Sequence, residues 1–160
     1  MSIERVRAYF AQLGMEDRVL EFPVSSATVE LAAVAVGCEP QRIAKTLSFM
    51  VGEKPILIVA AGDAKIDNPK YKAQFHTKAK MLSFDQAAEL IGHAVGGVCP
   101  FAVKEGVTVY LDESLKRFST VFPACGSSNS AIELTCAELE KYASNFVAWV
   151  DVCKGWRDEE

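Results

Sequence analysis

"IAKTLSFMVGEKPILIVAA", residues 43–61, decides the fold. Two runs rich in strand formers, "IAKTLSFMV" and "PILIVAA", are separated by the turn-like "GEKP", and together they predict a β-hairpin. In the first run a two-residue period places Lys45 with Leu47, Phe49 and Val51 on one face and Thr46, Ser48 and Met50 on the other. A lysine thus falls on the more hydrophobic face of a strand. At a strand end it snorkels to water; where it is held in, desolvation lowers its pKa unless an anion compensates, and either charge state is useful at a site.

Toward the N-terminus, Ile3, Val6, Phe10 and Leu13 repeat at helical spacing before Gly14, "RVLEF" reads as a short strand closed by Pro23, and a helix is predicted from Thr28 to Val36 with Gly37 behind it. Toward the C-terminus, Asn68-Pro69 opens a helix, with Asn68 as N-cap and Pro69 at the first helical position. Two capping boxes, Ser83 with Gln86 and Thr135 with Glu138, start helices ending near Gly92 and Ala143. "VTVYLD", "STVFPA", "AIELT" and "FVAWVDV" supply further strands. Several strand connections are too short for a helical crossover, so the expected class is mixed α/β (α+β) with a mixed sheet rather than a doubly wound parallel one.

At 160 residues, half of them hydrophobic, the chain is expected to form one domain over residues 1–160 with a substantial core. No apolar run approaches the roughly 20 residues of a membrane span and the charged, periodic N-terminus is unlike a signal peptide, so a cytoplasmic protein without a membrane partner is expected. Five cysteines and two histidines, with no C-x-x-C pair, argue against a disulfide framework and a zinc site, and neither metal nor cofactor is expected. A net charge of −4 exerts no general pull toward DNA. Residues 64–80 nevertheless carry Lys65, Lys70, Lys72, Lys78 and Lys80 against Asp67 alone, which makes either a solvated face or a phosphate-binding patch.

"GGVCP", Gly96 to Pro100, offers two chemistries. Cys99 with His93 is a nucleophile–base pairing in sequence, although cysteine is also among the most buried small residues. Gly96 and Gly97 expose backbone amides able to approach a substrate and hold an oxyanion, with Pro100 fixing the exit of the turn. "CGSSNS", Cys125 to Ser130, forms either an ordinary polar turn or a rim of hydroxyl and amide groups that reads a small polar ligand.

The strand "AKTLSF", the "GGVCP" loop that fits G-x-x-x-P and the Gly/Ser turn leading into "IELT" together resemble the YbaK/EbsC, or prolyl-tRNA-synthetase-associated, editing domains, and the resemblance spans nearly the whole chain. It implies a central mixed, barrel-like sheet flanked by about five helices. It also implies trans-acting hydrolysis of the ester of mischarged tRNA, a reaction needed because binding alone separates substrates differing by one methylene by only about 1–3 kcal/mol. On that pattern Lys45 is the essential lysine with Thr46 beside it at the pocket. Gly96, Gly97 and Pro100 lie near the aminoacyl carbonyl with Cys99 as pocket wall, and Gly126, Ser127, Ser128 and Asn129 close the pocket. The implied partners are the acceptor end of aminoacyl-tRNA, supported by the lysine-rich segment, and a synthetase. Members carry a basic residue or an aspartate where this chain has "GSSNSAIEL" with Ala131, so no amino acid specificity is carried over. Two other readings stay open: a non-catalytic tRNA- or synthetase-binding module of the same fold, and a Cys99-dependent small-molecule hydrolase.

Overall fold

A computed structural model describes residues 2–93 and 96–157 of the chain. The predicted hairpin is its centre. β2 (Ile43–Val51) and β3 (Lys54–Ala61) pair antiparallel from Ala44 opposite Ala61 to Val51 opposite Lys54, around a turn in which Gly52 takes a φ of +61°. β3 also pairs parallel with β5 (Thr108–Asp112), which pairs parallel with β9 (Phe146–Val150). On its other edge β2 meets β6 (Thr120–Pro123) in parallel, and β6 meets β8 (Leu134–Thr135) antiparallel. The result is a curled, mixed six-stranded sheet in the order β8-β6-β2-β3-β5-β9. Leu57, Ile58 and Val59 are wholly buried in the middle of it, each contributing about 1.5–3 kcal/mol relative to exposure.

Two small antiparallel pairs stand apart from it as separate sheets: β1 (Val19–Glu21) with β7 (Ser130–Ile132), and β4 (Lys65–Ile66) with β10 (Cys153–Lys154). Five α-helical segments occur among the described residues: α1 (Ser2–Gln12), α2 (Val29–Val36), α3 (Asn68–Phe75), α4 (Phe84–Gln86) and α5 (Cys136–Tyr142). α1 buries Val6 and Phe10, which stand four residues apart on one face. α2 is capped by the Thr28 hydroxyl, which accepts from the Leu31 amide, and by Gly37 in the left-handed region. Both predicted capping boxes form, each with its reciprocal pair of hydrogen bonds.

Four local expectations change. Leu13 lies past the end of α1 and is 42% exposed, because the chain turns at Gly14 before another helical turn can form. The N-cap of α3 is Asp67, whose carboxylate accepts from the Lys70 amide at 3.2 Å, and Asn68 is already helical. After α4 the chain continues as one π-helical turn, Ala87–Ile91, ended by Gly92 in the left-handed region. "AIELT" is split at Glu133: β7 pairs with β1 and β8 with β6, while the Glu133 carboxylate accepts from the Thr120 hydroxyl at 2.6 Å and its carbonyl from Arg18 at 2.7 Å.

Candidate functional site

The outer edge of β2 is incompletely covered. β6 pairs with it only at Ile43 and Ala44. Farther along, the Leu82 amide donates to the Ser48 carbonyl at 3.1 Å and the Met50 amide to the Lys80 carbonyl at 2.9 Å. Main-chain groups alternate in direction along a strand, so Ala44, Ser48 and Met50 share the phase that faces this edge. Thr46 has the same phase and lies between the two partners, paired by neither. Its N–H and C=O therefore face the gap. A cleft of about 300 Å³ opens there, walled by residues 43–48, by Ser26 to Val29 at the entry to α2, by Met81 and Leu82, and by Gly96, Val98, Ser130 and Ala131. That volume is at the small end of ligand pockets, about 300–1,000 Å³.

Three loops meet at this cleft. The Ser26 amide donates to the Ser128 carbonyl at 2.6 Å, the Phe22 amide to the Asn129 carbonyl at 2.8 Å, and the Asn129 side-chain amide returns a bond to the Phe22 carbonyl at 3.0 Å. Gly97 seats the third loop: a Cβ there would lie 2.6 Å from both the Gly126 carbonyl carbon and the Ser127 nitrogen, so only glycine lets the two backbones touch. Gly96, at φ +93°, is near Ser128 and Ala27, 3.4 and 3.5 Å from where its Cβ would be. Within the second loop the Ser127 and Ser130 hydroxyls lie 2.8 Å apart. Gly96 lines the cleft; Gly97, Gly126, Ser127, Ser128 and Asn129 stand behind that wall and hold it.

Lys45 lines the cleft and is half-buried. Its ammonium donates to the Ala64 carbonyl and, at 3.4 Å, to the Gly62 carbonyl, with no carboxylate pairing it among the described residues. Burial pushes its pKa down, with the Cys153 thiol and Asp63 acting in the opposite direction. Thr46 and Ser26 line the cleft, but their hydroxyl oxygens are buried away from solvent and, like that of Tyr71, have no hydrogen-bond partner among the described residues.

Cys99 and Pro100 are buried and do not line the cleft. The Cys99 sulfur lies 3.6 Å from Nε2 of His93, which is also buried and 2.8 Å from the Phe101 carbonyl. A carbonyl can only accept, so that nitrogen carries its proton and is no base toward the thiol. Burial raises the Cys99 pKa to about 12 and lowers that of His93. The pair, adjacent in space as in sequence, therefore rests as neutral thiol and neutral imidazole at pH 7.

The lysine-rich segment divides. Lys70 is engaged, donating to the Cys153 carbonyl at 3.1 Å and to Asp151 at 3.4 Å. Lys65 sits in β4 opposite Lys154. Lys72 and Lys78 line a second depression with Asn68, Pro69 and Ala79, and Lys80 belongs to the segment whose next residues, Met81 and Leu82, wall the cleft. Sequence reasoning missed Ser26: "VSSAT" reads as a polar lead-in to α2, and only the bond to Ser128, a contact across about a hundred residues, draws it inward.

A half-barrel carrying a lysine strand, a glycine loop and a Gly/Ser turn around one small cleft defines an aminoacyl-tRNA editing domain, and the family model of that description matches residues 24–142. The chain belongs to this family. It is 57% identical over 157 residues to the uncharacterized protein YwhH of Bacillus subtilis (strain 168), covering 98% of this chain and 99% of that one. It is 23% identical over 114 residues to the proline–tRNA ligase of Bacillus cytotoxicus, covering 71% of this chain and 20% of the ligase. A solved structure described as a candidate trans-editing enzyme for prolyl tRNA synthetase superposes with a TM-score of 0.85 at 28% identity, over 96% of this chain and 98% of that one. No helix among the described residues is long and apolar enough to cross a membrane.

Proposed function

We propose that the protein is a trans-acting deacylase that hydrolyses the ester joining a wrong amino acid to the 3′ end of tRNA. The observation that carries this reading is the cleft in the β2 edge: amino-acid-sized, bordered by Lys45, the free main-chain groups of Thr46 and the Gly96 loop, with no cysteine or histidine on its wall among the described residues. An aminoacyl ester is already activated. Its hydrolysis needs a positioned water, donors for the oxyanion and a grip on the nucleic acid end, and no covalent intermediate.

In the proposed reaction the aminoacyl carbonyl enters the gap, where the Thr46 N–H and the Gly96 loop provide backbone donors. Water adds to the carbonyl carbon, charge develops on its oxygen beside those donors, and the carbon–ribose-oxygen bond breaks. The departing ribose oxygen takes up a proton, relayed by the neighbouring ribose hydroxyl, as the free amino acid forms. Lys45, held by the carbonyls of Gly62 and Ala64, supplies positive charge to the cleft. Lys80, next in sequence to Met81 on the cleft wall, and Lys72 and Lys78, which line a separate depression, meet the phosphates of the acceptor end without reading sequence. A synthetase, the prolyl enzyme by the relatives' names, is the expected partner, and the cytoplasm the expected site of action.

The test is ester hydrolysis by the purified protein across a panel of mischarged tRNAs, repeated with Lys45→Ala after its fold is verified by circular dichroism. Deacylation of at least one substrate and its loss in the variant are expected. Full activity in the variant removes Lys45 from the mechanism; no deacylation of any substrate, with retention on an immobilised synthetase, replaces the enzyme with a docking module.

A further inference from the structure

We infer that Phe84, with Met81 three residues before it, is the stacking platform for the terminal base of the tRNA and holds the 3′ end while its ester lies in the cleft. The inference rests on the deacylase reading above and adds what grips the nucleic acid there. Phe84 is 75% exposed and Met81 61%, and both line the cleft. Phe84 is the one aromatic ring among the large hydrophobic side chains left exposed in the described residues. A single exposed apolar side chain is ordinary, but two at the mouth of one cleft are surface that a ligand can cover.

Both residues are fixed from below. The segment from Lys80 to Leu82 bonds to the edge of β2 at Met50 and Ser48, Met81 is bridged to Phe49, and with Leu82 turned inward Met81 faces out. The Ser83–Gln86 capping box then sets Phe84 at the first helical position of α4. Ser48 stands two residues, about 7 Å, along β2 from the open main-chain groups of Thr46. That is about the reach of one nucleoside, so an ester held at Thr46 brings its ribose and base to the segment carrying Met81 and Phe84. Lys78 and Lys80 are exposed before this pair in the chain, and Asp85 follows the ring. Phosphate is drawn to the lysine end and kept from the acidic one, which leaves the uncharged base for the ring. Every base has a π face, so stacking beside a cationic track holds a single-stranded end without reading its sequence.

The experiment measures binding of two fluorescently labelled acceptor-stem RNA hairpins, one ending in adenosine and one in an abasic ribose, alongside hydrolysis of the mischarged-tRNA panel. The parent is expected to bind the adenosine-ended hairpin about 5- to 150-fold more tightly. Phe84→Ala and Phe84→Leu should bind both hairpins alike, Phe84→Trp should keep the preference, and exchanging the terminal adenine for another base should change the parent's affinity by less than about 5-fold. Equal affinity of the parent for the two hairpins overturns the inference without recourse to any variant, as does a preference that survives Phe84→Ala or Phe84→Leu. A base preference that follows the ring, with no ester cleaved, overturns the deacylase reading and leaves the platform standing. Ester cleavage that Phe84→Ala leaves unchanged, with no base preference, overturns the platform and leaves the deacylase. Retention on an immobilised prolyl synthetase that Phe84→Ala abolishes, with neither hairpin bound, makes the patch a protein-docking surface and overturns the inference.

Discussion

Gly97→Ala isolates the contact that builds the cleft. The added methyl would sit 2.6 Å from the Gly126 carbonyl carbon and the Ser127 nitrogen and 2.8 Å from the Gly126 oxygen. All three are main-chain atoms, so relief requires one loop to move. Overpacking of this kind costs about 1–3 kcal/mol, and the absence of a flexible neighbour puts it near the top of that range. At roughly 2–4 °C per kcal/mol for a chain of this size, the melting midpoint should fall by about 5–10 °C. Gly106→Ala is the control: its φ is +90° but an added Cβ meets nothing within 4 Å. It carries only the left-handed penalty, about 1–2 kcal/mol, partly offset by the about 0.4–1 kcal/mol that alanine removes from unfolded-state entropy. A drop of about 0–6 °C follows, about 2–3 °C at the middle of those ranges. Scanning calorimetry on the parent and both variants is the assay, with deacylation measured alongside. If Gly97→Ala melts no lower than Gly106→Ala, the two loops are not in main-chain contact and the account of how the cleft wall is held fails.

Three further outcomes follow from groups whose titration is perturbed. Lys45 has a folded-state pKa below its unfolded one, so its charge opposes folding, and stability recovers as pH rises from the folded toward the unfolded value; Lys45→Met should be more stable than the parent at pH 7, with the difference shrinking in alkaline denaturant titrations. Cys99, fully buried with its pKa raised to about 12, should resist a thiol reagent at pH 7 until the protein is unfolded, and Cys99→Ser should retain ester hydrolysis; rapid native-state labelling would refute the buried placement. Glu138 is held at about 2 first by the Arg18 hydrogen bond and then by the Thr135 amide, so its contribution is present above the ordinary glutamate value and is lost as pH falls through about 2. Glu138→Gln should therefore flatten the acid limb of the stability profile, while Thr135→Ala costs about 1 kcal/mol at any pH.

Much of the fold was legible because its signals are local. A period of two around Lys45, a capping box at Ser83 and another at Thr135 involve residues within four positions of each other, and the structure contains the hairpin and both helix starts. The N-cap of α3 was displaced by one residue because Asp67 and Asn68 are both good caps, and the choice falls on the one whose carboxylate reaches the Lys70 amide. The split of "AIELT" could not be read, since it depends on which distant strand each half meets. At the site, Lys45 and Gly96 stand on the cleft, but Gly97 touches another loop's backbone, a contact no spacing rule encodes. Cys99 drew attention by its reactivity, which is a property of the free residue; burial removes it.

The gap in the β2 edge turns main-chain groups into a cavity. A sheet edge normally exposes donors and acceptors that invite another strand. Here β6 covers Ile43 and Ala44, the segment at Lys80 to Leu82 covers Ser48 to Met50, and Thr46 is left with its N–H and C=O turned into a cavity rather than to bulk solvent. Those groups are fixed by the ladder on either side, so they are oriented before any ligand arrives, the condition under which a hydrogen bond favours a developing charge without reorganisation. The same strand turns Lys45 toward the carbonyls of Gly62 and Ala64 and buries the Thr46 hydroxyl without a partner among the described residues. Strand alternation thus sends the ammonium of Lys45 and the main-chain groups of Thr46, two consecutive residues, in different directions around one opening.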